Sequence, residues 1–114
     1  MEQTYFRRGF GLKQAIEGEL AEAYHSALVD RIRADGYRLV VPGLTIRLAR
    51  AFGFCYGVDR AVEYAYESRR QFPDRRIFLV GEIIHNPHVN ARLAELGITV
   101  LRPGERGFDF SAVR

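Results

Sequence analysis

The sequence predicts an α/β protein built on a parallel three-stranded βαβαβ unit, preceded by an N-terminal helix–strand extension. Two observations predict it. Three apolar stretches of strand length, at residues 44–48, 77–80 and 98–101, are separated by two stretches with helical spacing. The middle one, Ile77-Phe78-Leu79-Val80, is continuously apolar, as a strand covered on both faces would be. Strand–helix–strand order implies right-handed crossovers and a parallel sheet.

The elements follow in order. Residues 10–35 read as one helix, with Leu12, Ile16, Leu20, Ala23 and Ala27 on one face and Leu28 and Ile32 extending it. Gly36 suits a helix stop, and residues 37–41 form a short strand closed by Pro42-Gly43. Leu44, Ile46 and Leu48 then alternate with Thr45 and Arg47, which argues a strand. The turn at residues 53–57 opens a helix over residues 58–71, with Val58, Ala61, Val62 and Ala65 inward and Asp59 in the first turn. Phe72-Pro73-Asp74 ends it. After the second strand, His85-Asn86-Pro87 leads into a helix carrying Val89, Leu93 and Leu96, stopped by Gly97. Phe108, Phe110 and Val113 have no later element to pack against, so the chain reads as truncated or in need of a partner. The division drawn is a 1–42 extension and a 43–114 α/β domain that is incomplete.

Composition narrows the class. The chain has 114 residues, 47% hydrophobic and 27% charged, which is ordinary for one soluble globular domain. No apolar run is long enough to span a bilayer, and the first residues lack a signal-peptide core. With one cysteine there is no internal disulfide framework, so a cytoplasmic location is expected. The net charge of +3 is dispersed. Arg69-Arg70 and Arg75-Arg76 form the one local basic cluster, and aromatics do not interleave with it, so no nucleic-acid partner is expected.

The chemistry centres on two loops. Cys55 lies in Gly53-Phe54-Cys55-Tyr56-Gly57, between a strand-like run and a helix start. Positive potential at a helix start favours thiolate over thiol, so the position suits a metal-bound or reactive cysteine. A small buried hydrophobe is the alternative. His85-Asn86 follows the next strand, and ligands of parallel sheets bind beyond the carboxyl ends of strands. Both loops open helices, whose free N–H groups suit phosphate. His85 as a capping or core histidine, and Asn86 as a plain N-cap, remain open beside that reading.

Residues 53–62, Gly-Phe-Cys-Tyr-Gly-Val-Asp-Arg-Ala-Val, resemble the G-F-C-x-G-V-[DE]-R-A-[IV] motif of the 4-hydroxy-3-methylbut-2-enyl diphosphate reductase family. Glu82-Ile83-Ile84-His85-Asn86 is similar to that family's E-[IV]-[IV]-H-N element, with Val89, Leu93 and Gly97 at matching spacing. The resemblance covers residues 44–101. It implies three similar α/β domains around a [4Fe–4S] cluster, each giving one cysteine, with Cys55 the first of three and one iron left open to substrate. It implies reductive dehydroxylation of an allylic diphosphate to isopentenyl and dimethylallyl diphosphates, with His85 on the diphosphate and Asn86 beside it. An electron-donor protein such as ferredoxin or flavodoxin is the implied partner.

The departures from the family are specific. This chain lacks the other two cluster cysteines, the later histidines, the Ser/Asn diphosphate contacts and the proton-relaying glutamate, and has Phe52 where the family usually has Arg. One thiolate cannot hold a four-iron cluster. The chain is therefore expected to be an N-terminal portion, inactive alone, with no catalytic residue of its own. The competing expectations are a non-catalytic phosphate-binding α/β module without the cluster, and a thiol redox protein whose Cys55 titrates below the free value of about 8.5.

Overall fold

The structure, a computed structural model, describes residues 5–6, 8–104 and 107–113. Helix α1 spans Lys13–Tyr24 and α2 spans Ala27–Ala34; strands β1 and β2 span Arg38–Val41 and Leu44–Arg47. Then come α3 (Tyr56–Gln71), β3 (Ile77–Val80), α4 (Pro87–Glu95) and β4 (Ile98–Leu101). Two-residue strands β5 (Pro103–Gly104) and β6 (Gly107–Phe108) and a 3-10 turn at Ser111–Val113 follow.

The helix expected over residues 10–35 is two helices. Ser26 is extended and its hydroxyl accepts from Val29 N–H, so it caps α2 rather than continuing α1. His25, just past α1, pairs its Nε2 with Asp30 Oδ2 at 2.6 Å. Ile32 is buried but Leu28 is 52% exposed, so the inward stripe does not run through the break. Gly36 stops α2 as its position suggests. Its N–H meets Arg33 O, Tyr37 N–H meets Ile32 O, and Gly36 has φ +72°, which is the Schellman pattern.

The three-stranded parallel sheet is not what forms. β3 and β4 make a parallel pair, with Ile77 opposite Ile98 and Val80 opposite Leu101. β2 instead pairs antiparallel with β1, Val41 opposite Leu44 and Arg38 opposite Arg47. The cause is local. Pro42-Gly43 is a two-residue connection whose glycine takes φ +77°, following a proline that pre-sets the turn. Closing so short a loop costs far less chain entropy than enclosing all of α3 to reach β3. The division drawn at residue 42 falls in the turn of this hairpin.

The core gathers Ile16 of α1, Val62, Ala65 and Tyr66 of α3, Val89 and Leu93 of α4, and Ile98 of β4. Leu20, Tyr24, Ile77, Leu79, Ile84 and Leu96 pack against it half-buried. Helix α3 touches both α1 and α4. The hairpin stands apart from this core: Val40, Val41, Leu44 and Ile46 are all exposed. The radius of gyration accordingly reaches 18.2 Å, against about 13 Å for a compact chain of this length.

Polar contacts tie α1 to α3. Lys13 Nζ lies 2.8 Å from Glu63 Oε1 and Arg70 Nη1 2.8 Å from Glu19 Oε1, while within α3 Arg60 Nη1 lies 2.6 Å from Glu63 Oε2. Buried Glu67 accepts from Phe10 N–H at 2.8 Å. That approach needs glycine at residue 9, because φ is +76° and a Cβ there would lie 2.6 Å from the Tyr64 ring. At the far end of α3, Arg69 Nη1 donates to the carbonyls of Phe72, Pro73 and Arg75, and Nη2 donates to Gly97 O at 2.9 Å.

Arg69→Ala should lower unfolding free energy by about 2 kcal/mol, the net worth of a charged donor shared among several carbonyls. Urea denaturation would show this as a lower midpoint with an unchanged slope. Glu63 gives a pH signature. Hydrogen bonds from Lys13, then Arg60, hold its carboxyl below the ordinary value of 4.5. Its contribution is therefore complete above that ordinary value and disappears as pH falls through the lowered folded value. The stability gap between the native chain and Glu63→Gln should be widest near neutral pH and shrink through that acidic window, as read from denaturation at stepped pH.

Candidate functional site

Cys55 is the N-cap residue of α3, with extended backbone at φ −70° and ψ 161°. The thiol is exposed, which overturns the alternative of a small buried hydrophobe. Gly53, two residues earlier, has φ +133°, a value that favours glycine. The Cys55 side chain makes no capping hydrogen bond, while its carbonyl accepts Asp59 N–H at 3.0 Å. The positive end of a 16-residue helix thus has no side-chain cap.

The start of α4 is arranged differently. Asn86 is its N-cap, and Oδ1 accepts from both His88 N–H (3.0 Å) and Val89 N–H (3.2 Å). Pro87 has no N–H, and Asn90 N–H bonds Asn86 O. The first-turn donors expected to bind phosphate are therefore already satisfied within the helix. Asn86 is a true N-cap, and its side-chain Nδ2 is the group that can meet a ligand.

His85 is neither buried nor a cap: its side chain is 92% exposed. Its Nδ1 lies 3.3 Å from Glu82 Oε2, and the other oxygen of Glu82 accepts Arg102 Nη2 at 3.0 Å. One carboxylate thus joins an imidazole and a guanidinium. Arg102 follows β4 directly and Glu82 follows β3 after Gly81, whose N–H bonds Leu101 O at 2.9 Å and holds the two strand ends together. This is the carboxyl edge of a parallel pair, where ligands of such sheets bind. A cleft of about 400 Å³ lies here, lined by Glu82, His85, Asn86, Pro87, Asn90 and Arg102. Asn90 Nδ2 donates to Ile84 O and steadies the loop between Glu82 and Asn86.

Cys55 does not line that cleft. Nor do the two loops leave one sheet, since the strand before Cys55 belongs to the hairpin. Helix packing relates them instead. Tyr24 at the end of α1 sits edge-on to Phe54 at 5.8 Å and to His88 at 5.7 Å, bridging the residue before Cys55 and the first turn of α4. His88 Nε2 lies 3.1 Å from Ala23 O. Burial pushes the Tyr24 hydroxyl up from its ordinary value. Arg69 bridges the opposite ends of α3 and α4. With both ends linked, the starts of α3 and α4 lie on the same side.

Arg102, Tyr24 and His88 escaped the sequence reading, and Glu82 entered it only as the first residue of a motif. Arg102 did carry a signal, because it directly follows a strand of the parallel pair. No group of three His, Cys, Asp or Glu side chains among the described residues is arranged to hold a metal ion, so Cys55 would serve a metal as one ligand of several. No helix among the described residues is long and apolar enough to cross a membrane.

Fold and site together define an α/β protein with a thiol and an imidazole–amide pair at the starts of two adjacent helices. Residues 46–113 match the family model described as LytB protein, and the chain belongs to that family. It is 50% identical over 111 residues to the 4-hydroxy-3-methylbut-2-enyl diphosphate reductase of Synechococcus sp. (strain RCC307), covering 97% of this chain and 27% of the relative. It is 50% identical over 105 residues to the protein of that name from Gloeobacter violaceus, covering 92% and 25%. A Thermosynechococcus vestitus relative of the same name is 47% identical over 112 residues, covering 98% and 28%. The chain thus spans about a quarter of the length of the curated relatives it matches. No solved structure matches it.

Asn86→Ala should cost about 1 kcal/mol through loss of the cap, and Asn86→Asp should retain most of it. Hydrogen exchange at the amides of His88 and Val89 would check this, with faster exchange expected in the alanine variant alone.

Proposed function

We propose that this chain is the N-terminal portion of a reductase acting on 4-hydroxy-3-methylbut-2-enyl diphosphate. The reaction removes the 4-hydroxyl as water, consuming two electrons and two protons, and yields isopentenyl and dimethylallyl diphosphates. Membership of the LytB family and the names of relatives about 50% identical support the reading. The observation that carries it is Cys55, exposed and free of any capping bond at the start of α3. On this reading residues 1–42 are an extension, and residues 43–114 form part of the first of three α/β domains.

Cys55 fits a [4Fe–4S] cluster as one of three cysteine ligands. The donor is an exposed thiol at the N-cap of a helix, with no hydrogen bond to the first turn that a metal would have to displace. The remaining ligands belong to parts of the protein outside these residues. When bound, such a cluster supplies electrons and an iron that polarises the leaving oxygen. The residues described here bind and orient. His85 meets the diphosphate through Nε2, while Glu82 at Nδ1 fixes which ring nitrogen faces outward. Asn86 offers Nδ2 to the same phosphates and keeps Oδ1 on its own helix. A cytoplasmic electron-donor protein of the ferredoxin or flavodoxin type completes the reaction. The chain alone holds too few thiolates to turn over.

The test is Cys55→Ser in the protein expressed from the complete reading frame and reconstituted anaerobically with iron and sulfide. Iron content should fall below that of the unsubstituted protein, and turnover should drop by at least about 100-fold, the upper range for damage to groups around a metal. Unchanged iron and turnover would rule out Cys55 as a ligand. If the unsubstituted protein takes up no iron yet binds diphosphate, the non-catalytic phosphate-binding module is the better description.

A further inference from the structure

We infer that Arg102 is a second phosphate-binding residue of the His85 cleft, contacting a diphosphate group directly. This rests on the reading of His85 as a diphosphate contact and extends it to a residue that no family motif or relative's name assigns. Three observations carry it. Arg102 sits immediately beyond β4, at the carboxyl edge of the parallel pair, next to the loop bearing His85 and Asn86. Its guanidinium lines the same cleft as those two residues. Glu82 holds it at Oε1 while holding His85 at Oε2, so one carboxylate fixes the spacing of the guanidinium and the imidazole.

Charge makes the role specific. Among the residues lining the cleft, Glu82 is the one acid, and Arg102 is the one group whose positive charge persists at any physiological pH. With His85 neutral, Arg102 does no more than offset Glu82, so attraction for a polyanion needs directed hydrogen bonds as well as net charge. Arg102 can supply them. Nη2 is spent on Glu82, but the guanidinium retains further N–H groups in a planar fork that suits phosphoryl oxygens. The side chain is 75% exposed, so a ligand can reach it without opening the fold.

The experiment titrates the protein expressed from the complete reading frame with inorganic diphosphate, with inorganic phosphate and sulfate in parallel, and follows ¹H–¹⁵N signals of the Arg102 and Asn86 side chains and of the His85 ring. The expected result is saturable diphosphate binding that moves all three sets of signals. Arg102→Ala should weaken binding about tenfold, as loss of a charged hydrogen bond would. Arg102→Lys should lie between, keeping the charge without the fork. The double variant Glu82→Gln/Arg102→Ala separates contact from charge balance: direct contact requires that it stay weak. Its recovery to native affinity would overturn the inference by showing that Arg102 only neutralises Glu82. If Arg102→Ala binds like the native chain while His85→Ala is weakened, the Arg102 contact is refuted and the His85 reading stands. If Arg102→Ala is weakened and His85→Ala is not, the His85 reading fails and Arg102 remains. Absence of diphosphate binding by the native chain would overturn both.

Discussion

The arrangement depends on one guanidinium. Arg69 spends Nη1 on three carbonyls of the turn after α3 and Nη2 on Gly97 O beyond α4. Carbonyls at helix ends carry partial negative charge and lack intrahelical partners, so a cation shared between two helices satisfies both. The contact has a cost, since Arg69 Nε is buried without a partner. What it secures is register: the ends of α3 and α4 cannot slide past each other, and their starts are fixed at the opposite side. Tyr24 closes that side by touching Phe54 and His88 together. The loops of Cys55 and His85 are thus positioned by contacts at the two extremes of the helices and by the core between them.

The two helix starts diverge in a way that divides labour. At α4, Asn86 answers two N–H groups with one oxygen, and Pro87 removes a third donor. That end is self-contained, and its ligand-facing chemistry passes to side chains. At α3, the cap position holds a cysteine whose side chain answers none. A thiol is a poor hydrogen-bond acceptor, so the first turn of α3 is left without a side-chain cap. One helix start is thus capped by its own side chain and the other is not.

Much of this was legible in the sequence. The apolar run at 77–80, the glycine stops at residues 36 and 97, and the Asn86-Pro87 helix start all follow from residue chemistry that acts over a few positions. The motif around Cys55 pointed to the family that the comparisons show. Two features were misread because two local preferences competed. Ser26 sits in a helical pattern yet caps better than it propagates, and β2 has the alternation of a sheet strand yet meets β1 across a two-residue turn first. The Glu82–Arg102 contact was hidden because it joins residues 20 apart in sequence, through the register of a parallel pair that no local pattern specifies.

Exposure and restraint are combined at the residues that matter. His85 is 92% exposed at its side chain, yet the carboxylate behind it is only 26% exposed and is itself held by Arg102. Cys55 is exposed on a helix whose next turns hold Val62, Ala65 and Tyr66 in the core. A group that must meet a ligand cannot be buried in its own domain, and one that is merely exposed wastes binding free energy on being ordered. Anchoring the base while freeing the tip resolves that conflict. In this chain the anchors are the Glu82 carboxylate and the α3 core, and the tips are an imidazole nitrogen and a sulfur. Each tip projects beyond the residues that anchor it and stays open to solvent.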